Sequence, residues 1–280
     1  MKLRFAIPKN TIFNDYYSRS NSDIEILLLE EKNCIDMISS KKVDAAILSP
    51  YGYSIGVAVS DYRIVPGPIL ALRGYTGFTS VYFRNDLTNI FNSSIDNPDD
   101  FISIASKIIF SEKYDIALTP KLLSNEIDIA IKNSDVIISS KMSKENKPIL
   151  DISEDWFDTF EFPLILGFWV INSEKEDIDF LSLVNSIVDP AMPTEEIITE
   201  NIPENENRQP RTGSIIRKWS PEIEASLDET IRLLYYHQYI KEIAAVKLLG
   251  RDYSSLFIKN KKKRLLFRVS LFGFLLNFII

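Results

Sequence analysis

Apolar residues run from Phe162 to Ile171, interrupted only by Pro163 and Gly167, without the polar alternation of a half-exposed strand. Such a run predicts a strand covered on both faces, as in a parallel α/β sheet. It is entered from an acidic, aromatic turn: five carboxylates fall between Asp151 and Glu161, and none follows until Glu174. Shorter apolar runs recur upstream. Leu3 to Ile7, Ile24 to Leu29 and Ala45 to Leu48 read as strands, the last closed by Ser49-Pro50, and Cys34 to Ser39 reads as a helix. Tyr62 to Val65 and Ile69 to Leu72 flank a Pro66-Gly67-Pro68 turn, and Thr79 to Arg84 alternates as a strand does. In Asp96-Asn97-Pro98-Asp99-Asp100, Asn97 suits a cap, Pro98 the first helical position and two acids the first turn, which predicts a helix from there to about Phe110. Asp115 to Leu118, Ile127 to Ile131 and Val136 to Ser139 supply further strand or helix segments before the turn Asn146-Lys147-Pro148.

Beyond Trp169 the pattern predicts a helix near Asp177 to Val188, then a Pro- and Glu-rich stretch from Pro190 to Gly213 that reads as a linker or as a helical pair broken at Pro203. The clearest helix follows. Ser220 is its cap, Pro221 its first residue, Glu222 favours the positive end, and Ile223, Leu227, Ile231 and Leu234 line one face. Alternating strands and helices imply an α/β fold of mostly parallel, mixed sheets. The runs Thr79 to Arg84 and Leu164 to Ile171 bracket a block large enough to be a separate lobe. We therefore expect a first lobe from residues 1–84 and 172–250, a second from 85–171, two crossings between them and a ligand cleft that closes about a hinge.

At 280 residues and 45% hydrophobic, the chain can build a substantial core. A net charge of -7 argues against nucleic acid as a partner. It also means that an anionic ligand would be held by local donors without help from the overall field. The single Cys34 excludes a disulfide framework, and with His237 the only histidine no metal is expected. Both residues read as core or surface positions, not as a nucleophile and base. The N-terminus reads as a strand with no apolar leader, which predicts the cytoplasm. The tail, 251–280, joins Lys259-Asn-Lys-Lys-Lys-Arg264 to Leu265–Ile280, sixteen residues against the ~20 of a membrane-spanning helix. Membrane contact through it, at the interface, is a minor expectation.

Five segments carry a resemblance: Arg4-Phe-Ala-Ile-Pro-Lys-Asn-Thr11, Val43-Asp-Ala-Ala-Ile-Leu-Ser-Pro50, Tyr62-Arg-Ile-Val-Pro-Gly-Pro68, Thr79-Ser-Val81 and Asp151 to Trp169. In order and spacing they resemble the chorismate dehydratase family of the futalosine menaquinone pathway, over roughly residues 1–250. The resemblance implies a two-lobe type 2 periplasmic-binding-protein-like fold. It also implies a lyase that removes water from chorismate, a small-molecule carboxylate, to give 3-[(1-carboxyvinyl)oxy]benzoate without a cofactor. On the family's pattern Asn10 and Ser80 are the catalytic positions, with Thr11, Thr79, Asn97 and Ser139 binding substrate.

Four departures accompany the matches. Asp99-Asp100-Phe101-Ile102 replaces a Ser-Arg-Thr-Ser helix start, Ser139-Ser140 a Gly-Asp, Phe160-Glu161-Phe162-Pro163 a Thr-Gly-Leu-Pro, and Pro50 is followed by Tyr51-Gly52-Tyr53 where the family has a Glu. Two acids at a helix start repel a substrate carboxylate. The alternative is therefore a non-catalytic paralogue that binds a small metabolite. The tail alone would suit an interaction or membrane-associated protein.

Overall fold

The computed structural model describes residues 2–203 and 206–251. From the N-terminus, β1 (Leu3–Pro8), α1 (Thr11–Tyr16), β2 (Ile24–Leu29), α2 (Glu31–Ser39), β3 (Ala45–Leu48), α3 (Pro50–Gly56) and the long β4 (Tyr62–Gly74) build most of a first sheet. The chain then crosses into a second sheet through β5 (Ser80–Phe83), β6 (Ser93–Ile95), α4 (Phe101–Tyr114), β7 (Pro120–Leu122), α5 (Ile127–Ala130), β8 (Val136–Ser139) and β9 (Leu150–Asp151). Helix α6 (Ile152–Phe160) leads back into β10 (Leu164–Asn172), α7 (Phe180–Ser186), a hairpin of β11 (Glu195–Thr199) and β12 (Thr212–Lys218), and α8 (Pro221–Tyr236). Among the described residues the sheets have the orders β11-β12-β4-β10-β3-β1-β2 and β7-β6-β8-β5-β9.

The apolar run at Phe162 becomes β10, and all nine of its residues are buried, as the lack of alternation predicts. It pairs antiparallel with both β3 and β4, however, so both sheets are mixed. Among the described residues, parallel strand pairing occurs in β2-β1-β3 and β7-β6-β8, with one isolated parallel bridge between Ile64 of β4 and Leu248. Trp169 packs against Phe5 and Tyr17 at ring separations of 5.3 and 5.2 Å, joining β10 to β1 and α1 in the main core.

Several local predictions are corrected. Tyr62 to Leu72 is one strand, not two around a turn. Between Ile64, opposite Val170, and Ile69, opposite Phe168, β4 bulges, and there the two prolines owe no ladder donor. Asn97 does not cap a helix at Pro98. Its side chain accepts the Asp99 N–H at 3.1 Å in a local turn, and α4 starts only at Phe101 after Asp100. The Pro190–Gly213 stretch is neither linker nor helical pair: Glu195–Thr199 and Thr212–Lys218 form a hairpin at the sheet edge, where β-branched residues suit extended chain. Asp115 to Leu118 takes no regular structure, and Ser49-Pro50 opens α3 where only a strand end was expected. The acidic turn before β10 is helix α6.

Strand β5 belongs to the second sheet and β10 to the first, so the crossings run from Tyr75 to Thr79 and through α6, each one strand earlier in the chain than the limits 84 and 171. The tail from Asp252 lies outside the described residues. Among the described residues no helix is long and apolar enough to cross a membrane.

Candidate functional site

Parallel strands gather their carboxyl ends on one side of a sheet, and ligands in α/β proteins bind outside such ends. Here β1 ends at Pro8-Lys9-Asn10, β2 at Glu30-Glu31, β6 at Asp96-Asn97 and β8 at Ser139-Ser140. These ends line two adjoining compartments of one cleft between the sheets, each of about 60 Å³. The first is bounded by Asn10, Phe13, Glu30, Glu31 and Phe101, the second by Thr79, Asp96, Asn97, Ser139 and Ser140; Asn10, Phe78 and Asp100 border both. Each has room for a few waters or a small polar group.

Asn10 caps α1: its side-chain oxygen accepts the Ile12 N–H at 3.1 Å, which leaves the amide nitrogen as the donor group of the pair. Thr11, the first residue of α1, is on the same turn. Ser139 donates to both oxygens of Asp96 at 2.8 and 3.0 Å, and Ser140 gives that carboxylate its backbone N–H at 2.8 Å and its hydroxyl at 3.0 Å. The donors at the end of β8 are therefore already spent on an internal carboxylate.

The start of α4 is filled in the same way. Glu31 reaches from α2 to accept the N–H of Phe101 at 3.2 Å and the hydroxyl of Ser49, the α3 cap. Its residue keeps partial exposure while the carboxyl group is enclosed. Burial pushes that carboxyl up to about 7 against the lowering effect of Ser49 and Phe101, with Asp100 adding repulsion. Asp100 is likewise raised to about 6, by burial first and then by Glu30, while Asn97 opposes the rise. Cys34, one turn along α2, is buried and its thiol is pushed up to about 12 by burial and by Glu31, which keeps it protonated and unreactive. Among the described residues Lys9 is the one cation lining the two compartments, against Glu30, Glu31, Asp96 and Asp100.

The two crossings meet at Asp151. This buried carboxylate caps α6 through the N–H groups of Ser153 and Glu154, both at 3.0 Å, and accepts the Gly77 N–H of the other crossing at 2.9 Å. Ser153 donates to the carbonyl of Gly74 and pairs with Thr76, each at 2.8 Å. Gly74 and Gly77 have φ of 65° and 67°, and glycine enters that left-handed region without the steric cost of a Cβ.

Of the six residues singled out by the resemblance, Asn10, Thr79, Asn97 and Ser139 line the cleft. Ser80 does not. It is buried in β5, opposite Ser139 and Asp151 in the ladders, while its neighbour Thr79 takes the cleft position. Phe160 and Glu161 stay outside the cleft: Phe160 packs on Trp156 and Phe162 at 4.8 and 5.8 Å, and Glu161 ends α6. The residue that sequence reasoning missed is Glu31. Its signal was the Glu30-Glu31 pair directly after the apolar run of β2, at a strand's carboxyl end. Among the described residues no group of three or more His, Cys, Asp or Glu side chains is placed to hold a metal ion.

No protein-family model matches the chain, and no curated protein matches it. Solved structures do. One described as an ABC transporter from Parabacteroides distasonis is 10% identical, spans 90% of this chain and 99% of its own, and has a TM-score of 0.55. Protein AF1704 from Archaeoglobus fulgidus is 12% identical over 85% of this chain and 78% of its own, with a TM-score of 0.47. A nutrient binding protein from Burkholderia cenocepacia bound to methionine is 7% identical over 66% and 90%, with a TM-score of 0.41. At such identities the first likeness bears on the fold alone, and the two below 0.5 carry no argument. The chain has an α/β fold of two mixed sheets, which it shares with the Parabacteroides distasonis structure.

Proposed function

We propose that the protein binds a small polar metabolite in the cleft between its two sheets and admits it by parting them. The observation that carries this reading is the convergence of Asn10, Thr79, Asn97 and Ser139, from four separate stretches of chain, on one cleft beside the crossings. The carboxylates set the ligand's character. A bound anion would face Glu30, Glu31, Asp96 and Asp100, and two like charges at contact repel by about 1–4 kcal/mol between water and a protein surface. The donors best placed for an anion, at the start of α4 and the end of β8, are taken by Glu31 and Asp96. The ligand that fits is uncharged or carries an amine, and chorismate, a dianion, fits poorly.

A second reading is a chorismate dehydratase-like lyase of menaquinone biosynthesis. It is favoured by Asn10, which borders both compartments at the motif position where the resemblance expects a substrate contact. That elimination takes a proton and a hydroxyl from the ring, so placed hydrogen-bond donors would do most of the work.

Purified protein mixed with chorismate, with the aromatic product followed by absorbance, separates the two. The binding reading expects no product and no thermal shift from chorismate. It also expects a thermal shift from an uncharged or amine-bearing metabolite of similar size, which Asn10→Ala removes. Product formation lost in Asn10→Ala would replace binding with catalysis as the function.

A further inference from the structure

We propose that Glu31 is a proton-sensitive latch: its carboxyl group, carried by α2 of the first sheet, bonds the first N–H of α4 on the second sheet and holds the cleft shut when protonated. The inference rests on the reading that the sheets part to admit a ligand.

Geometry puts the latch at a leverage point. The far end of α4 is tied down elsewhere, by Lys113 and Tyr114 to Asp155 of α6 at 2.7 Å each and by Glu112 to His237 beyond α8 at 2.9 Å. Its first turn faces the cleft, where Phe101 donates to Glu31 at 3.2 Å. Ser49, at the cap of α3, holds the same carboxyl group from the first-sheet side. One side chain thus joins three helix starts, two on one sheet and one on the other.

The groups facing it make the bond depend on protons. Glu30 precedes it at the α2 cap position, Asp100 stands at the α4 cap position without a capping hydrogen bond from its side chain, Asp96 and Asp99 lie on the approach to it, and the Cys34 thiol one turn on is uncharged. Among the described residues Lys9 is the one cation along the same cleft wall. A neutral carboxyl still accepts the Phe101 N–H and shares a hydrogen bond with Ser49, whereas a carboxylate there adds charge to an enclosed acidic wall. The group stays protonated up to about pH 7 when enclosed and reverts towards 4.5 when water reaches it, so closure takes up a proton and opening releases one.

Spin labels on the exposed Asn33 and Lys144, in a Cys34→Ala, Asp100→Asn background of the full chain, report the separation of the sheets without ligand. The Asp100 change removes the other raised carboxyl of the cleft. As pH rises from 5 to 8 we expect the ratio of short to long distances to fall more than about tenfold, with the fall complete by about pH 7. Glu31→Gln, which keeps an uncharged acceptor, stays short at both ends of that range, and Glu31→Ala stays long at both. A distance that ignores pH while still shortening with a cleft ligand overturns the latch and leaves binding intact. A pH response that survives Glu31→Gln overturns it too. A distance fixed under every condition, ligand included, removes both the latch and the moving cleft.

Discussion

Glu31 and Asp100 share an unusual balance for surface-derived carboxylates: each keeps hydrogen-bond donors, yet burial outweighs them and raises both groups. The thermodynamic sign follows. A carboxyl raised on folding binds protons more readily in the folded state, so its contribution to stability is complete below the unfolded value and is lost as pH rises through the folded one. For these two groups the window opens at the ordinary 4.5 and 3.8 and closes at about 7 and 6. Thermal melts between pH 5 and 8 are expected to show the melting temperature falling with pH, and Glu31→Gln is expected to flatten most of that slope. An unchanged slope in the variant would place the titration elsewhere. Single residues also mark the limit of sequence reading at the site. Asn10 was singled out only through the resemblance, since an Asn after a strand serves equally well as a helix cap, and in the structure it both caps α1 and borders the cleft. Thr79 and Ser80 are adjacent, and only the backbone trace of β5 decides which of the two lines the cleft.

At the scale of elements, α6 shows how a segment can be read correctly in place and wrongly in form. Its acids suggest a solvated turn, but Asp151 is the cap, Glu154 and Asp155 sit in the first turn where the helix dipole favours them, and Glu161 stops the helix. Glu161 does so at φ 61°, a conformation that costs a side-chain-bearing residue about 1–2 kcal/mol. Glu161→Gly is therefore expected to raise stability by about 1 kcal/mol in urea denaturation, because it relieves that strain without touching the cleft. Elements with strong apolar runs were legible to the residue: Ile24–Leu29 and Ala45–Leu48 are strands with those limits. Elements that depend on tertiary pairing were not. The bulge at Pro66–Pro68 exists because β10 and β12 lie on either side of β4, and the hairpin after Pro190 exists because β4 offered it an edge. Local composition could not announce either neighbour.

For the molecule as a whole, alternation of strands and helices and the two bracketing runs were enough to predict two sheets joined twice. The antiparallel insertion of β10 between β3 and β4 was not, since a strand buried on both faces looks alike in either direction. The cleft was legible as a place and not as a chemistry: its acidic wall comes from two stretches 65 or more positions apart, Glu30 and Glu31 on one sheet, Asp96 and Asp100 by the other. Asp151 stands behind this whole arrangement. Asp151→Ala would leave the N–H groups of Gly77, Ser153 and Glu154 without their acceptor, and a loss of about 2–4 kcal/mol is expected in urea denaturation. A loss under about 1 kcal/mol would mean that water takes over the bonds. One carboxylate bonds both segments that pass between the sheets, so sliding one past the other would break its hydrogen bonds. Under the opening proposed above, the pivot would therefore be the pair of crossings tied at Asp151, and a change there would alter the motion without touching Asn10 or Glu31.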